Sequence, residues 1–362
     1  MKILLISAYH AQSHKAWADS IKEMLNHVEW AEAILPAHYF SWRIRGNALG
    51  FAYASEFREI FSQKYDLVIA TSMTDVAGLK AFLPALATVP WLLYFHENQF
   101  DYPSSRFQKG IVEMQMVTLY SALAADVCVF NSAYNRDSFL SGVSQLLKKL
   151  PDYTGENCPA VLREKSKVIS VPIAQDVVDF AQYSPKQKRV PHIIWAARWE
   201  YDKGPDRLLA VLRQLKHDGF EFKLSVLGQG FRNQPDEFSI IAEEFKDHIL
   251  NFGFLSSRED YLATLAQGDI FLSTALHEFQ GLSVIEAVSQ GCRPVLPRRQ
   301  VYPELFGDDF TYPESKDIKA EAASAVALIK SIEPVCLPET LRFTQEVLKP
   351  QYESLIHSLV FR

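Results

Sequence analysis

Short apolar runs recur along the chain, and stretches with helical spacing of apolar residues lie between several of them. In the first half, the runs suited to buried parallel strands cover residues 3–7, 67–70, 91–95, 127–130 and 168–171. Helical patterns cover residues 15–25 and 109–124. Because strands that alternate with helices form parallel sheets covered on both faces, this half predicts an α/β doubly wound domain.

The same alternation resumes after a polar stretch near residue 180. Residues 176–191 are short of strand formers and include Pro185 and Pro191, so we place an interdomain linker at 179–191. A second series follows, with strands at 192–197, 223–228, 249–252, 270–273 and 294–297 and helices at 205–217, 237–247, 258–266 and 281–290. The pattern predicts two Rossmann-like domains, 1–178 and 192–345, and a last helix at 346–362 that returns toward the first.

Composition is that of a folded globular protein, with 362 residues, 48% hydrophobic and 22% charged. The apolar run at the N-terminus is too short for a signal peptide or a membrane span, and no later run approaches 18 apolar residues. Peripheral membrane contact stays open. The four cysteines show no metal or disulfide spacing, which favours a reducing compartment. We therefore expect a cytoplasmic protein; the sequence does not indicate its oligomeric state.

The most informative segment runs from Ser273 to Ala287, where a predicted strand ends, a loop passes Gly281 and a helix begins. A helix N-terminus after a strand carries unpaired N–H groups and is suited to a diphosphate. Glu278 falls in the loop and Glu286 about one turn into the helix, so the two carboxylates can reach opposite ends of one ligand. The alternative, a capping glutamate and a solvated one, stays open on the carboxylates alone.

Together with the segment Ala-Arg-Trp-Glu-Tyr-Asp-Lys-Gly at 197–204, this Glu-x7-Glu element resembles the retaining GT-B glycosyltransferases of family 4. The resemblance implies two Rossmann-like domains that face an interdomain cleft. It also implies that Arg198 and Lys203 hold the diphosphate of a nucleotide-sugar, and two cations there can neutralise a leaving group as its charge grows. Glu286 would bind the ribose and Glu278 the sugar. The predicted donor-binding set is completed by Ser13, Gly281, Leu282 and Ser283.

A narrower resemblance covers almost the whole chain. It rests on Ser13-His-Lys15, Leu35-Pro-Ala37, Trp42-Arg43, Tyr94-Phe-His-Glu-Asn-Gln99 with Tyr102-Pro103, and Phe130-Asn-Ser132. These segments are similar to the tRNA-queuosine mannosyltransferase group of family 4. The resemblance implies GDP-mannose as the donor, queuosine in tRNA as the acceptor, retention at the anomeric carbon, and a place for His96 near the transferred sugar. The alternative for His96 is a structural histidine.

Two features bear on the phosphate end of the donor. Many family-4 enzymes carry two glycines after the first strand, but here Ala11 and Gln12 stand there, so the loop must contribute differently, through Ser13 or His14. The chain has no Asp-x-Asp tripeptide, the metal clamp of another glycosyltransferase class. We therefore expect neither a metal nor another cofactor, and we name no protein base.

Acceptor contacts are expected on the first domain. Trp42, Arg43 and Arg45 form an aromatic and basic cluster that could stack on a base and contact phosphate, or be an ordinary surface loop. Glu97 and Asn98 add polar groups beside His96. The overall charge of −6 gives no general support for nucleic-acid binding.

Three functional hypotheses follow. The first is a tRNA-modifying mannosyltransferase. The second is a glycosyltransferase that acts on a lipid, a saccharide or a small molecule; the mixed charges of residues 15–25 tell mildly against a lipid. The third is a non-catalytic sugar-nucleotide-binding protein, which would have no need to keep His96, Arg198, Lys203 and Glu278 together.

Overall fold

A computed structural model describes residues 1–101, 111–179, 190–230, 234–331 and 336–361, with no description of the side chain at 179. The chain forms two compact units, residues 1–172 with 345–362 and residues 173–344. Most of the predicted linker at 179–191, and the Tyr102-Pro103 pair, lie outside the described residues. The linker and the exact domain limits therefore stay predictions.

The first unit alternates strands and helices along the chain. Its strands are β1 (Lys2–His10), β2 (Glu29–Pro36), β3 (Leu67–Thr71), β4 (Trp91–Phe95), β5 (Val127–Phe130) and β6 (Ser166–Val168). Its helices are α1 (Gln12–Met24), α2 (Phe40–Tyr53), α3 (Arg58–Phe61), α4 (Val76–Phe82), α5 (Pro84–Ala87), α6 (Ile111–Ala124), α7 (Ala133–Leu147) and α8 (Cys158–Glu164), with a terminal helix Gln345–Val360.

All strands of the first sheet run parallel, in the order β2-β1-β3-β4-β5-β6 among the described residues. Strands β1, β3 and β4 are buried apolar runs, which the sequence pattern identifies. It misses β2, an edge strand that is only partly buried and in which Glu29 and Glu32 interrupt the apolar residues. The predicted strand at 168–171 is also wrong in position, since β6 ends at Val168.

The terminal helix is built into the first unit. Tyr352 is fully buried, and its hydroxyl accepts a 3.0 Å hydrogen bond from the indole of Trp17 and donates one to the backbone oxygen of Ser170. Trp17 in turn stacks on Tyr94 at 4.3 Å between ring centroids. The last residues of the chain therefore close the aromatic layer under β4.

The second unit repeats the alternation. Its strands are β7 (His192–Ala196), β8 (Lys223–Leu227), β9 (Ile249–Gly253), β10 (Ile270–Leu272), β11 (Arg293–Pro297) and β12 (Thr311–Tyr312). Its helices are α9 (Gln175–Asp179), α10 (Pro205–His217), α11 (Glu237–Glu244), α12 (Arg258–Gln267), α13 (Leu282–Ser289), α14 (Tyr302–Phe306) and α15 (Ile318–Lys330), and the turns at Tyr201–Lys203, Asp308–Phe310 and Leu341–Phe343 are 3-10.

Within the described part of this unit, the sheet order is β12-β11-β10-β7-β8-β9, again all parallel. Counted from β7, this is the order 3-2-1-4-5-6 of dinucleotide-binding domains. The predicted α/β class and the two Rossmann-like domains are confirmed. The short strand β12 was not predicted, since its two residues are too few to form a recognisable run.

Each sheet has one point where the chain reverses its direction of travel across the strands. This point lies between β1 and β3 in the first sheet and between β7 and β10 in the second. Loops that leave neighbouring strands at such a point diverge and form a crevice at the carboxyl ends of the strands, where ligands bind. The loops that follow β1, β3, β4, β7 and β10 are therefore where a functional site is expected. None of the described helices is long and apolar enough to span a bilayer.

Candidate functional site

In the second unit, the loops that leave β7 and β10 are joined by hydrogen bonds. The amide nitrogens of Leu276 and His277 donate to the backbone oxygen of Asp202 at 2.8 and 3.2 Å. The hydroxyl of Thr274 donates to the backbone oxygen of Lys203 at 3.0 Å, and the indole of Trp195 donates to that hydroxyl. These bonds hold the loop of Lys203 against the loop of Glu278, although the two residues are 75 positions apart.

Close approach of the two loops requires glycine at position 204. Gly204 has φ +65° and directly precedes α10, and a Cβ on it would overlap the backbone oxygen of Thr274. We expect Gly204→Ala to lower the free energy of unfolding by roughly 2–4 kcal/mol, through left-handed strain together with displacement of a backbone group. Chemical denaturation measures this difference.

Gly219 provides the matched control for that prediction. It also has a positive φ, +66°, but a Cβ added there would have nothing within 4 Å. Gly219→Ala therefore reports the strain of the left-handed conformation alone. Equal losses in the two variants would show that the Thr274 contact contributes nothing.

Lys203 lies at the centre of a charged cluster. Its Nζ donates to the backbone oxygen of His277 at 2.8 Å and pairs with the carboxylates of Glu278 at 3.2 Å and Asp202 at 3.3 Å. Burial is the largest single influence and would raise the pKa of both carboxyls. Lys203, helped by His277 and, for Asp202, by Arg198, nevertheless brings the pKa of each below its ordinary value. Both carboxylates are therefore ionised at neutral pH and share one mostly buried cation.

Arg198 lies at the more exposed side of this cluster. Its side chain is half exposed. It pairs with the carboxylate of Glu200 at 2.7 Å and with that of Asp202 at 4.0 Å. Burial raises the pKa of the Glu200 carboxyl, against the effect of Arg198. The two cations predicted to hold a diphosphate therefore lie within one cluster and share the carboxylate of Asp202.

The N-terminus of α13 adjoins Glu278. Gly281 precedes the helix in a left-handed conformation, φ +75°, and no side chain caps the helix. An α-helix leaves its first N–H groups without partners inside the helix, so the amides of Leu282 and Ser283 face the start of the loop. The small recess beside them is lined by Lys203, Glu278, Ser283 and Tyr302 among others. The first turn of α13, through Ser283, and the cation of Lys203 thus border the same recess.

Glu286 lies on the second turn of α13 and is held by α12. Its two carboxylate oxygens accept hydrogen bonds from the guanidinium of Arg258 at 2.7 Å and from the hydroxyl of Tyr261 at 3.0 Å. Arg258 also pairs with Asp176 on α9 at 3.0 Å. A carboxylate offers about four acceptor positions, so Glu286 keeps capacity for two further donors.

The first unit places polar side chains from three loops together. The ring nitrogen Nε2 of His14 lies 3.2 Å from one carboxylate oxygen of Glu97, and the hydroxyl of Ser72 donates to the other at 2.9 Å. These residues follow β1, β4 and β3 respectively. The contacts therefore lie at the point where the first sheet reverses.

His96 follows β4 directly and is 6% exposed. Its ring stacks on His14 with centroids 4.1 Å apart, and no described residue makes a hydrogen bond to its Nε2. Burial lowers the pKa of His96 well below its usual value, and the neighbouring His14 and His10 add to this effect. The imidazole is therefore neutral at physiological pH and has one nitrogen available to a ligand.

The loop after β1 forms without glycine. Ala11 precedes α1 in extended conformation, φ −70°, and no side chain caps the helix. Ser13 is exposed in the first turn, while His14 points into the interior. The N-terminus of α1 therefore follows β1 without the left-handed turn that two glycines would allow.

The predicted acceptor residues fall into two groups. Asn98 is buried, and its amide donates to the backbone oxygen and side chain of Asn135 and to Ser138, so its described contacts are internal. Trp42 on α2 is 58% exposed, and its indole lies so close to Gly46 that a Cβ there would be 2.6 Å from Cζ2.

Arg45 is exposed on the same helix and donates to the backbone oxygen of Ser41. Arg43 is half-buried there. The indole of Trp42 and the guanidinium of Arg45 therefore lie at the surface of one helix. No cluster of three or more histidine, cysteine or acidic side chains that could bind a metal occurs in the parts of the chain described above.

Both parts of the chain match families of known proteins. Residues 2–173 match the family described as tRNA-queuosine alpha-mannosyltransferase N-terminal, and residues 179–334 match the family glycosyl transferases group 1. A tRNA-queuosine alpha-mannosyltransferase from Drosophila melanogaster is 34% identical over 320 residues, which cover 86% of this chain and 84% of the relative. The chain belongs to the tRNA-queuosine alpha-mannosyltransferase family.

Two further similarities are more distant. A GDP-mannose:cellobiosyl-diphosphopolyprenol alpha-mannosyltransferase from Xanthomonas oryzae is 26% identical over 147 residues, 40% of this chain and 38% of the relative. An alpha,alpha-trehalose-phosphate synthase from Burkholderia xenovorans superposes with a TM-score of 0.67 at 13% identity, over 99% of this chain and 100% of that one. The second similarity shows the GT-B fold. With the family membership, the chain is a glycosyltransferase.

In this member of the mannosyltransferase family, three polar residues of the candidate site were not predicted from sequence motifs. Asp202 lies inside the Arg-x4-Lys segment, but only the sheet order reveals that it joins the two loops. Arg258 and Tyr261 lie more than 20 residues from Glu286, and no motif signals the contact. The roles of Arg198, Lys203, Glu278, Glu286 and His96 stay predictions.

Proposed function

We propose that this enzyme transfers mannose from GDP-mannose to queuosine in tRNA, with retention at the anomeric carbon and without a metal. The 34% identical relative carries the name of that transferase, and a second relative is named for GDP-mannose. The observation that carries the proposal is the charged cluster of the second unit. There Lys203 meets Glu278 at 3.2 Å beside the N-terminus of α13, and Glu286 follows one turn further along the helix.

The diphosphate requires positive charge, and the second unit supplies it from three sources. Lys203 is nearly buried, Arg198 is half exposed, and the amides of Leu282 and Ser283 point out of the helix N-terminus. Because Gly281 has no side chain, its backbone permits close approach of a phosphate. The same groups would stabilise the negative charge that grows on the GDP leaving group.

The nucleoside and the sugar need hydrogen-bond acceptors at different distances from the diphosphate. We assign the ribose hydroxyls to Glu286, whose carboxylate has capacity beyond Arg258 and Tyr261. Glu278, ionised beside Lys203, would accept from sugar hydroxyls. His96, neutral and with a free Nε2, would contact the mannosyl group.

In this proposal, transfer with retention at the anomeric carbon needs no protein side chain as a general base. The bond from the anomeric carbon to the departing phosphate oxygen breaks, and that oxygen takes the proton of the acceptor hydroxyl as the new glycosidic bond forms on the same face. The protein then supplies orientation and charge stabilisation. Glu278 and Glu286 are not the paired carboxylates that a retaining glycosidase places on either side of one bond.

The acceptor proposal rests on the exposed indole of Trp42. Glycine at position 46 lets the indole lie against α2, and an aromatic face fixed in this way can stack on an unpaired base. Arg45 and Arg43 lie next to it and would contact phosphate. Ser13, exposed at the start of α1, and Glu97 complete the proposed polar surroundings.

We expect Trp42→Ala to raise the Kd for tRNA about tenfold, since stacking of one base on an aromatic ring contributes roughly 1–3 kcal/mol. The KM for GDP-mannose should stay unchanged. Fluorescence anisotropy with a labelled anticodon stem-loop measures the affinity. Tyr120→Ala, which removes another half-exposed ring of the same unit, is the control. Equal weakening by both variants would contradict the assignment of Trp42.

One assay separates the functional hypotheses. The purified protein is incubated with labelled GDP-mannose, UDP-glucose or other donors, with or without tRNA that contains queuosine. Label that enters tRNA from GDP-mannose alone is the expected result, and tRNA without queuosine is the control. Donor hydrolysis with no label in tRNA would favour a lipid, saccharide or small-molecule acceptor. The reaction should survive EDTA, and restoration by a divalent cation after EDTA loss would overturn metal independence.

A tRNA acceptor would also fit a cytoplasmic location, which we propose with the function. The proposal of location rests on the spacing of the four cysteines, which fits neither a metal site nor a disulfide framework and is usual in a reducing compartment. Fractionation of cells that express a tagged chain tests this point.

A further inference from the structure

Three histidines lie near the reversal point of the first sheet, and the proposed function uses only one of them. His10 ends β1, His14 lies on the first turn of α1 and His96 follows β4. The Nδ1 atoms of His10 and His14 and the Nε2 atom of His96 are buried, with no hydrogen-bond partner among the described residues. Buried polar atoms without a hydrogen-bond partner cost free energy, so this cluster calls for an explanation.

His14 is the member that touches both other functional candidates. The face of its ring stacks on His96, with centroids 4.1 Å apart and planes 19° from parallel. Its edge points at Glu97, with Nε2 3.2 Å from Oε2. A carboxylate only accepts hydrogen bonds, so Nε2 of His14 carries the proton of this contact. Ser72 fixes the second oxygen of Glu97.

Aromatic side chains of the first unit pack against the ring of His96. Trp17 meets the ring edge-on at 5.1 Å, and Tyr94 lies 4.8 Å away at a tilt. The titratable neighbours are His14, His10, Tyr94 and Glu97. Burial lowers the pKa of His96, and His14 lowers it further. The ring is thereby held neutral and in a fixed plane.

We propose that His14 is a positioning residue for glycosyl transfer, which orients the Glu97 carboxylate through its Nε2 proton and the His96 ring through the stack. This inference rests on the proposed function, in which His96 faces the sugar and Glu97 the acceptor. It also explains how the loop after β1 contributes without two glycines: it supplies a side chain from the first turn of α1. Misplacement of catalytic groups by about 1 Å can cost 10²-fold in rate, so the effect belongs in kcat.

Two substitutions separate the stack from the hydrogen bond. His14→Phe keeps an aromatic ring against His96 but cannot donate to Glu97, whereas His14→Gln keeps an Nε2 donor without the ring. We expect His14→Phe to lower kcat about 100-fold and His14→Gln about tenfold, with the KM for GDP-mannose within about threefold in both. His27→Phe, an exposed histidine of the same unit, is the control. Circular dichroism confirms that each variant is folded.

Which of the two variants has the higher kcat decides whether the proposal holds. A side chain that only fills space would be replaced best by phenylalanine, so wild-type kcat in His14→Phe, or a kcat above that of His14→Gln, overturns the proposal. A second readout needs no turnover: histidine ring NMR, with His96→Gln for assignment. Without the electrostatic effect of His14, His96 should titrate at a higher pH in His14→Phe than in the wild type. An unchanged titration also overturns the proposal.

The two proposals fail separately. If the wild-type protein does not label queuosine-containing tRNA from GDP-mannose, the proposed function fails. The NMR titration then still decides whether His14 controls His96. If the wild type is active and both variants match it in kcat, only the inference on His14 fails.

Discussion

An alanine at position 203 is expected to lower kcat by about 10²- to 10³-fold, because a preorganised donor to a developing negative charge contributes on this scale. Among the described residues, His277, Asp202 and Glu278 each place an oxygen against the Nζ of Lys203, whose side chain is 11% exposed. If Lys203 were removed, little water could take its place to stabilise the charge on the departing diphosphate. Initial rates at saturating GDP-mannose and tRNA measure the loss. Near wild-type turnover would remove Lys203 from the mechanism.

Two controls separate chemistry from folding for this variant. Loss of Lys203 leaves Asp202 and Glu278 without their shared cation, so thermal unfolding is measured in parallel. Lys203→Arg keeps the charge but places it differently, and it should be folded yet slow. Lys223→Ala, which removes an exposed lysine at the start of β8, should match the wild type in both rate and stability.

Glu286→Ala is expected to weaken GDP binding by roughly 100-fold, since two hydrogen bonds from ribose hydroxyls to a charged carboxylate contribute about 1.5 kcal/mol each. The loss should be seen in the KM for GDP-mannose, with kcat at saturating donor close to the wild-type value. Isothermal titration calorimetry with GDP gives the affinity without turnover. Unchanged GDP affinity would show that the ribose binds elsewhere.

Tyr261→Phe is the matched control for Glu286. It removes one hydrogen bond to the carboxylate but leaves the charge and the contact with Arg258. Its effect on GDP affinity should be much smaller than that of Glu286→Ala. Arg258 retains Asp176 as a partner in either variant, so α12 should keep its place.

How far the sequence predicts the fold depends on burial. Strand β4 is buried along its whole length, and helix α10 begins at a proline and ends near a glycine, so both have the predicted limits. Strand β2 is an edge strand, and Glu29 and Glu32 interrupt its apolar residues, so it does not form a continuous apolar run. The strands that the sequence pattern misses, β2 and β12, both lie at sheet edges, although the edge strand β9 was predicted.

For the candidate site, the sequence predicts features within one continuous segment but not contacts between distant segments. The Glu-x7-Glu spacing correctly places Glu278 in a loop and Glu286 on a helix, because both lie in one continuous segment. The pairing of Lys203 with Glu278 depends on β7 lying beside β10, which no local pattern encodes. For the same reason the burial of Asn98 against Asn135 was not foreseen.

The terminal helix has a consequence for biosynthesis. Residues 173–344 form a unit that is continuous in the chain, whereas the first unit needs residues 345–362 to cover Trp17 and Tyr94. A ribosome that makes this chain from its N-terminus therefore releases the second unit in a form ready to fold while the first is still incomplete. The aromatic layer under His96, and with it the sugar side of the proposed site, is assembled only after residues 345–362 have left the ribosome.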